Sequence, residues 1–242
     1  MNGWWLAGAG LGAAATAAWG VYDPDSPLYG RVIHRGSSPD GAGDIAAPPT
    51  VYLTFDDGPN PAATDKILET LSVADAPATF FVVGSHVRRF PETARRIAGA
   101  GHELGNHTDT HVKLHVRGPG RISRELRACH AAIQQITGQP VRSFRAPHGY
   151  RSPFVGPAAR RLGYAVFGWS FGVWDTAQPG AEEIRRRVRT KLRPGSIVLL
   201  HDGDGYNPLG DRRQTAEALP GIIRDARDAG YVLRPTAELL PR

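Results

Sequence analysis

The stretch Val51-Tyr52-Leu53-Thr54-Phe55-Asp56-Asp57-Gly58-Pro59 runs from an apolar segment into two carboxylates and a Gly-Pro turn. Its β-branched and aromatic residues, closed by turn formers, predict a strand over residues 51–55. The pattern recurs along the chain. Apolar runs at 78–83, 103–106, 143–146, 165–170, 197–200 and 231–234 predict six more strands. Segments of helical period predict helices at 62–74, 91–100, 121–137, 157–162, 181–191 and 215–229. Strands that alternate with helices predict parallel βαβ units, and about seven of them suit a distorted (β/α) barrel better than a doubly wound sheet.

The positions of the reactive residue types favour the same reading. Asp56, Asp57, His107, Arg145, Asp175 and His201 each follow an apolar run. In a β/α barrel those strand ends converge on one face, so residues far apart in sequence share one cleft.

Working outward from this catalytic region, residues 49–242, the chain has two further parts. Residues 23–48 are rich in Pro, Gly, Ser and Asp without periodicity and read as a connector. Residues 4–22 carry no charge and are flanked by Trp4, Trp5, Trp19 and Tyr22, as interfacial aromatics flank a membrane segment. They lie in residues 1–22, which are read as an N-terminal apolar anchor or signal segment. That reading implies membrane attachment and a catalytic domain in the cell envelope, outside the cytoplasm. No internal repeat is evident.

With 242 residues the chain is long enough for one well-packed domain and a short extension. The net charge of +6 comes largely from arginine. Its densest run, Arg185-Arg186-Arg187, follows Glu182-Glu183 at helical spacing, which predicts a solvated, internally paired helix face rather than a nucleic-acid surface. Cys129 is the only cysteine, which excludes an intramolecular disulfide and a thiolate zinc site.

Adjacent carboxylates at a strand end can divide their work, one binding a metal while the other takes a proton from water. His107 and His111 form a His-x-x-x-His pair, which on one helical turn directs both imidazoles to a common point. Two histidines with one carboxylate, Asp57, leave coordination positions open, as a catalytic zinc site requires. Arg145 at its strand end can hold a carboxylate base ionised, and the Pro147-His148-Gly149 turn can aim a backbone N–H at an oxyanion. His201, after Ile197-Val198-Leu199-Leu200, suits a general acid.

Taken together, Thr54-Phe55-Asp56-Asp57-Gly58-Pro59, His107-Thr108-x-x-His111, Arg145-x-Pro147-x-Gly149 and Leu199-x-His201 resemble, in order, the motifs of the polysaccharide deacetylases of the NodB-homology type, carbohydrate esterase family four. The resemblance covers residues 50 to the C-terminus. It implies a distorted β/α barrel that removes acetyl groups, N-acetyl first among them, from a polysaccharide or cell-wall glycan. It also implies a divalent metal, zinc by ligand type, on Asp57, His107 and His111. Asp56 would be the general base, Arg145 its orienting partner and His201 the general acid, with the His148 N–H in the oxyanion hole.

Two departures stand out. His148 replaces the family's usual aromatic residue. The fourth motif, usually Asp-x-x-Asp-Trp, reads Gly172-Val173-Trp174-Asp175-Thr176, so Asp175 is the one carboxylate left to tune His201 or, alternatively, to pair with Arg145. The aromatic wall then falls to Trp174 or Trp169. Two rival functions accompany this reading: an inactive carbohydrate-binding protein on the same fold, for which Gly172 argues, and a metal-dependent hydrolase of small amides.

Overall fold

The computed structural model describes residues 15–16, 18–23, 26–36 and 48–241. At its centre lies β1 (Thr50–Asp56), flanked by β2 (Thr79–Val82) and β7 (Ile197–His201). Beyond β2 come β3 (Glu103–Asn106), β4 (Ser143–Phe144) and β5 (Ala165–Val166); beyond β7 comes β6 (Phe171–Gly172). A short β8 (Val232–Leu233) pairs with the start of β1. All of these ladders are parallel. The sheet curls into a half-barrel, the distorted β/α barrel expected from the alternation.

Alternation within β1 explains how one strand serves both a core and a site. Val51, Leu53 and Phe55 enter the main core between sheet and helices, where Phe55 stacks on Phe80 at 5.1 Å. Tyr52 instead joins Phe81, Phe167 and Ile197 in a second cluster. Successive residues of a strand face opposite sides, so Thr54 and Asp56 share the side of Tyr52. The strands are buried on both faces, which is why they read as continuous apolar runs.

The helices are α1 (Pro61–Val73), α2 (Gly84–Arg89), α3 (Pro91–Gly99), α4 (Pro119–Thr137), α5 (Val155–Arg161), α6 (Ala181–Lys191) and α7 (Arg213–Asp228). Asn60 caps α1, accepting from the Ala62 N–H, with Pro61 at the first helical position. The six residues of α2 are too few to show a helical period, and the sequence reading misses this helix. On α6 the arginine run is paired as expected: Arg186 and Arg187 meet Glu183, and Arg185 grips Asp225 of α7 with two bonds of 2.8 Å.

Residues 165–170 do not form the single strand expected of them. The chain leaves the sheet edge after Val166 and reaches the opposite edge, where β6 pairs with β7. The crossing includes Phe167 and Trp169, so it is itself apolar and reads as strand. Residues 31–36, from the connector, lie along this crossing. The Ile33 N–H donates to the Val166 carbonyl, the Gly168 N–H to that of Ile33, and the Gly36 N–H to that of Gly195. This segment therefore bonds to the β5 edge and to the turn that leads into β7. No helix among the described residues is long and apolar enough to cross a membrane. The expected anchor, residues 1–22, lies mostly outside the described residues.

Candidate active site

Parallel register sets the reactive strand ends level with one another. Asp56 pairs with His201 across β1 and β7, and the β2–β3 and β3–β4 ladders carry this level to His107 and Arg145. Asp56, His107 and His201 line a cleft of about 440 Å³, and Arg145 is fully buried against Asp56.

The backbone turns at Asp57 with φ 76°, a left-handed value rare for a non-glycine residue. The turn takes Asp57 out of the strand alternation, so the paired carboxylates diverge. Asp57 Oδ1 lies 3.3 Å from His107 Nε2 and 3.0 Å from His111 Nε2. Buried His86 supports this turn, its Nδ1 donating to the Asp57 carbonyl at 2.9 Å. Two glycines permit the close packing. A Cβ on Gly58 would meet the Asp202 carboxylate at 2.1 Å, and one on Gly205 would meet the His111 ring at 2.2 Å.

His107 and His111 do not share a helical turn. They lie on the loop after β3, with φ 69° at Thr108 and 53° at His111. Neighbouring side chains hold that loop. Asn106 Oδ1 accepts from the Thr108 N–H at 2.8 Å, and the buried Glu125 carboxylate of α4 accepts from the N–H groups of Asp109 and Thr110 at 3.1 and 2.9 Å. The sequence reading missed Glu125, whose only signal is a carboxylate on the apolar face of a helix.

The donor set fits a divalent metal. Asp57, His107 and His111 are all buried, and one ligand atom from each lies within 4.8 Å of the others. His107 Nδ1 donates to the Arg145 carbonyl at 2.9 Å, which leaves the Nε2 lone pair facing Asp57. Asp57 Oδ1 is buried without a hydrogen bond inside the protein, the condition of an atom that awaits a cation. Burial pushes the Asp57 carboxyl up, but the close imidazoles of His107 and His111 and the charge of His201 outweigh it, holding the group well below the usual range.

Asp56 takes a different partner. Arg145, fully buried, donates through Nη1 to Asp56 Oδ1 at 2.6 Å and to Thr54 Oγ1 at 2.8 Å, and through Nη2 to the Gly168 carbonyl at 2.6 Å. Its guanidinium lies 4.1 Å from the centre of the Phe81 ring and 5.9 Å from that of Trp169. On the other side of the cleft, Asp175 Oδ1 accepts from His201 Nδ1 at 2.9 Å, while Oδ2 accepts from the His201 N–H and from Thr215 Oγ1. Asp175 therefore meets His201 and not Arg145. Burial lowers the His201 pKa, but the charge and hydrogen bond of Asp175 outweigh it and raise it to about 9.

Gly172, Trp169 and Trp174 line the cleft, and Trp174 is 74% exposed. His148 has φ 59°, and its Nε2 lies 2.9 Å from the Tyr206 hydroxyl. Burial first, then the charge of His111, drives its pKa down to about 4, so the ring is neutral at neutral pH. Tyr206 and Tyr150 also line the cleft, and the sequence reading names neither. Both follow motif histidines within turn-rich sequence.

A catalytic-type metal triad, a carboxylate clamped by arginine and a histidine backed by a carboxylate thus face one cleft, in the motif order noted above. The sequence profile described as Polysaccharide deacetylase matches residues 44–167. The chain belongs to the polysaccharide deacetylase family. A chitooligosaccharide deacetylase of Sinorhizobium fredii is 39% identical over 192 residues, covering 77% of this chain and 89% of the relative. A peptidoglycan-N-acetylglucosamine deacetylase of Bacillus cereus is 34% identical over 192 residues, covering 78% and 87%. Among solved structures, the T48 deacetylase with substrate has a TM-score of 0.71 at 31% identity, over 82% of this chain and 94% of that one. A CE4 family pseudoenzyme from Bacillus anthracis has a TM-score of 0.77 at 29% identity, over 89% and 70%. The likeness to a pseudoenzyme does not favour an inactive reading, because this deacetylase retains both carboxylates, both metal-type histidines and His201. It is a metal-dependent hydrolase that removes acetyl groups from polysaccharides.

Proposed function

We propose that the protein removes N-acetyl groups from a β-linked amino-sugar glycan, of the kind its chitooligosaccharide and peptidoglycan relatives act on. The observation that carries this reading is the division of labour between adjacent carboxylates, Asp57 turned to two histidines and Asp56 to Arg145. Zinc is the metal that two imidazoles and one carboxylate suit. Asp57, His107 and His111 would hold the divalent ion, which when bound would supply Lewis acidity toward the acetyl carbonyl and the attacking water. Asp56, aimed by the Nη1 of Arg145, takes the proton of the attacking water. The backbone N–H of His148 hydrogen-bonds the oxyanion as it develops. His201, protonated against Asp175, gives its proton to the departing amine. Trp174 and Trp169 form the apolar wall beside the sugar. The uncharged stretch at 4–22 supports a cell-envelope location.

The test is acetate release from a panel of N-acetylated and O-acetylated glycans, before and after chelation and reconstitution with zinc. Release from N-acetylated amino-sugar polymers, abolished by chelator and restored by zinc, is the expected result. Release confined to O-acetylated xylan, or untouched by chelation, overturns the assignment.

A further inference from the structure

Arg151, buried beside the cleft, holds a segment far from it in sequence. Its guanidinium donates to the carbonyls of Ser26 at 2.6 Å, Gly30 at 3.1 Å and Asp23 at 3.5 Å, and its backbone N–H donates to that of Val21 at 3.3 Å. One charged side chain thereby fastens Asp23, Ser26 and Gly30 beside the Tyr150 that follows the Pro147–Gly149 turn. A cation stripped of water needs such partners, so the contact ties the segment to the domain.

The docking brings Tyr22 into a run of rings. Tyr22 meets Tyr150 edge-on at 5.3 Å and His115 at 5.4 Å, while His115 and Tyr150 lie 5.0 Å apart. Tyr150 lies 5.5 Å from His148, which lies 5.0 Å from His111. Contiguous rings thus lead from a member of the metal triad out to Tyr22. These spacings are those of favourable aromatic contacts, yet Tyr22 remains 56% exposed. The run reaches farther than one acetamido sugar needs, and it is continuous with the cleft that Tyr150 lines.

We propose that Tyr22, with Tyr150 and His115, forms a distal glycan subsite carried to the cleft by the N-terminal segment that Arg151 fastens. The apolar CH face of a pyranose packs on an exposed phenol ring, and its hydroxyls stay in water. The preferred substrate is accordingly an acetylated chain of several sugars. This rests on the deacetylase reading above.

Two measurements on the full chain test it. The first compares kcat/KM on the hexamer and the dimer of β-linked N-acetylglucosamine for the parent protein, Tyr22→Ala and Tyr22→Phe. The hexamer-to-dimer ratio should fall roughly two- to tenfold in Tyr22→Ala, the range of one aromatic contact, and recover in Tyr22→Phe. The loss should lie in KM. An unchanged ratio, or equal loss on both lengths, overturns the subsite and leaves the deacetylase reading intact. The second measures calorimetric binding of the hexamer to Asp56→Asn with and without Tyr22→Ala. If the parent released no acetate from any glycan yet Tyr22-dependent binding persisted, the deacetylase reading would fall and the subsite stand. Equal affinity in the two variants overturns the subsite.

Discussion

Asp56 and Asp57 are neighbours with opposite assignments, and the difference lies in one dihedral angle. Asp56 ends a strand and keeps its alternation, so it faces Arg145; Asp57 takes a left-handed turn and faces the histidines. Asp56→Asn should therefore keep its metal and lose about 10²- to 10⁴-fold in turnover, roughly 3–5 kcal/mol of barrier, because an amide accepts no proton from water. Asp57→Asn should lose metal as well, by elemental analysis after dialysis; the reverse pattern would exchange the two roles. The acid side of the site yields a signed pH prediction. Asp175 favours the protonated form of His201 and raises its pKa to about 9, and the reaction needs that proton. Activity should thus be lost as pH rises through the His201 value. Asp175→Asn removes the opposing carboxylate, so burial prevails, the His201 pKa falls and the alkaline limb of kcat/KM against pH moves to lower pH. Movement of the acid limb alone would contradict the contact at 2.9 Å.

At the scale of elements, the loop after β3 shows how a helix can govern ligands it does not carry. His107 and His111 converge although they share no helical turn, since Asn106 and Glu125 bind the backbone between them. Glu125→Ala should leave the N–H groups of Asp109 and Thr110 without their buried acceptor, costing about 1–3 kcal/mol of stability. Metal affinity should drop by about 10- to 100-fold, as it does when groups that orient ligands are removed. Glu125→Gln retains a carbonyl acceptor and should recover part of that affinity. Competition against a colorimetric chelator measures both variants, and unchanged affinity in Glu125→Ala would show that the loop holds its shape without α4. The His-x-x-x-His spacing pointed to two imidazoles that do converge, but for a reason, a shared helical turn, that the loop does not bear out. Left-handed values at Thr108 and His111 are invisible in a pattern read for helical period.

Across the whole molecule, the core and the site lie on opposite sides of the same strands. Phe80, fully buried against Phe55 and His102, belongs to the helix side. Phe80→Ala should cost about 3–5 kcal/mol in urea unfolding through lost burial and the cavity left behind. His107→Ala should cost far less stability in the metal-free protein while abolishing metal binding; equal unfolding midpoints for the two variants would refute this separation. The alternation of apolar runs and helical segments made the parallel half-barrel legible, because hydrophobic periodicity is local and survives in one dimension. The reactive types at strand ends made most of the site legible for the same reason, since chain order in a β/α fold dictates which ends meet. Other features required the folded chain. The crossing at residues 167–170 is as apolar as a strand, so only the pairing of β5 and β6 at opposite edges distinguishes it. Whether Asp175 serves His201 or Arg145 depended on which side of the cleft it entered. The docking of Tyr22 beside Tyr150 joins residues 128 positions apart. Periodicity and residue chemistry act between neighbours in the chain, and the sequence determined what they govern. Contacts between distant segments depend on backbone direction at a few turns, and those the tertiary structure alone decided.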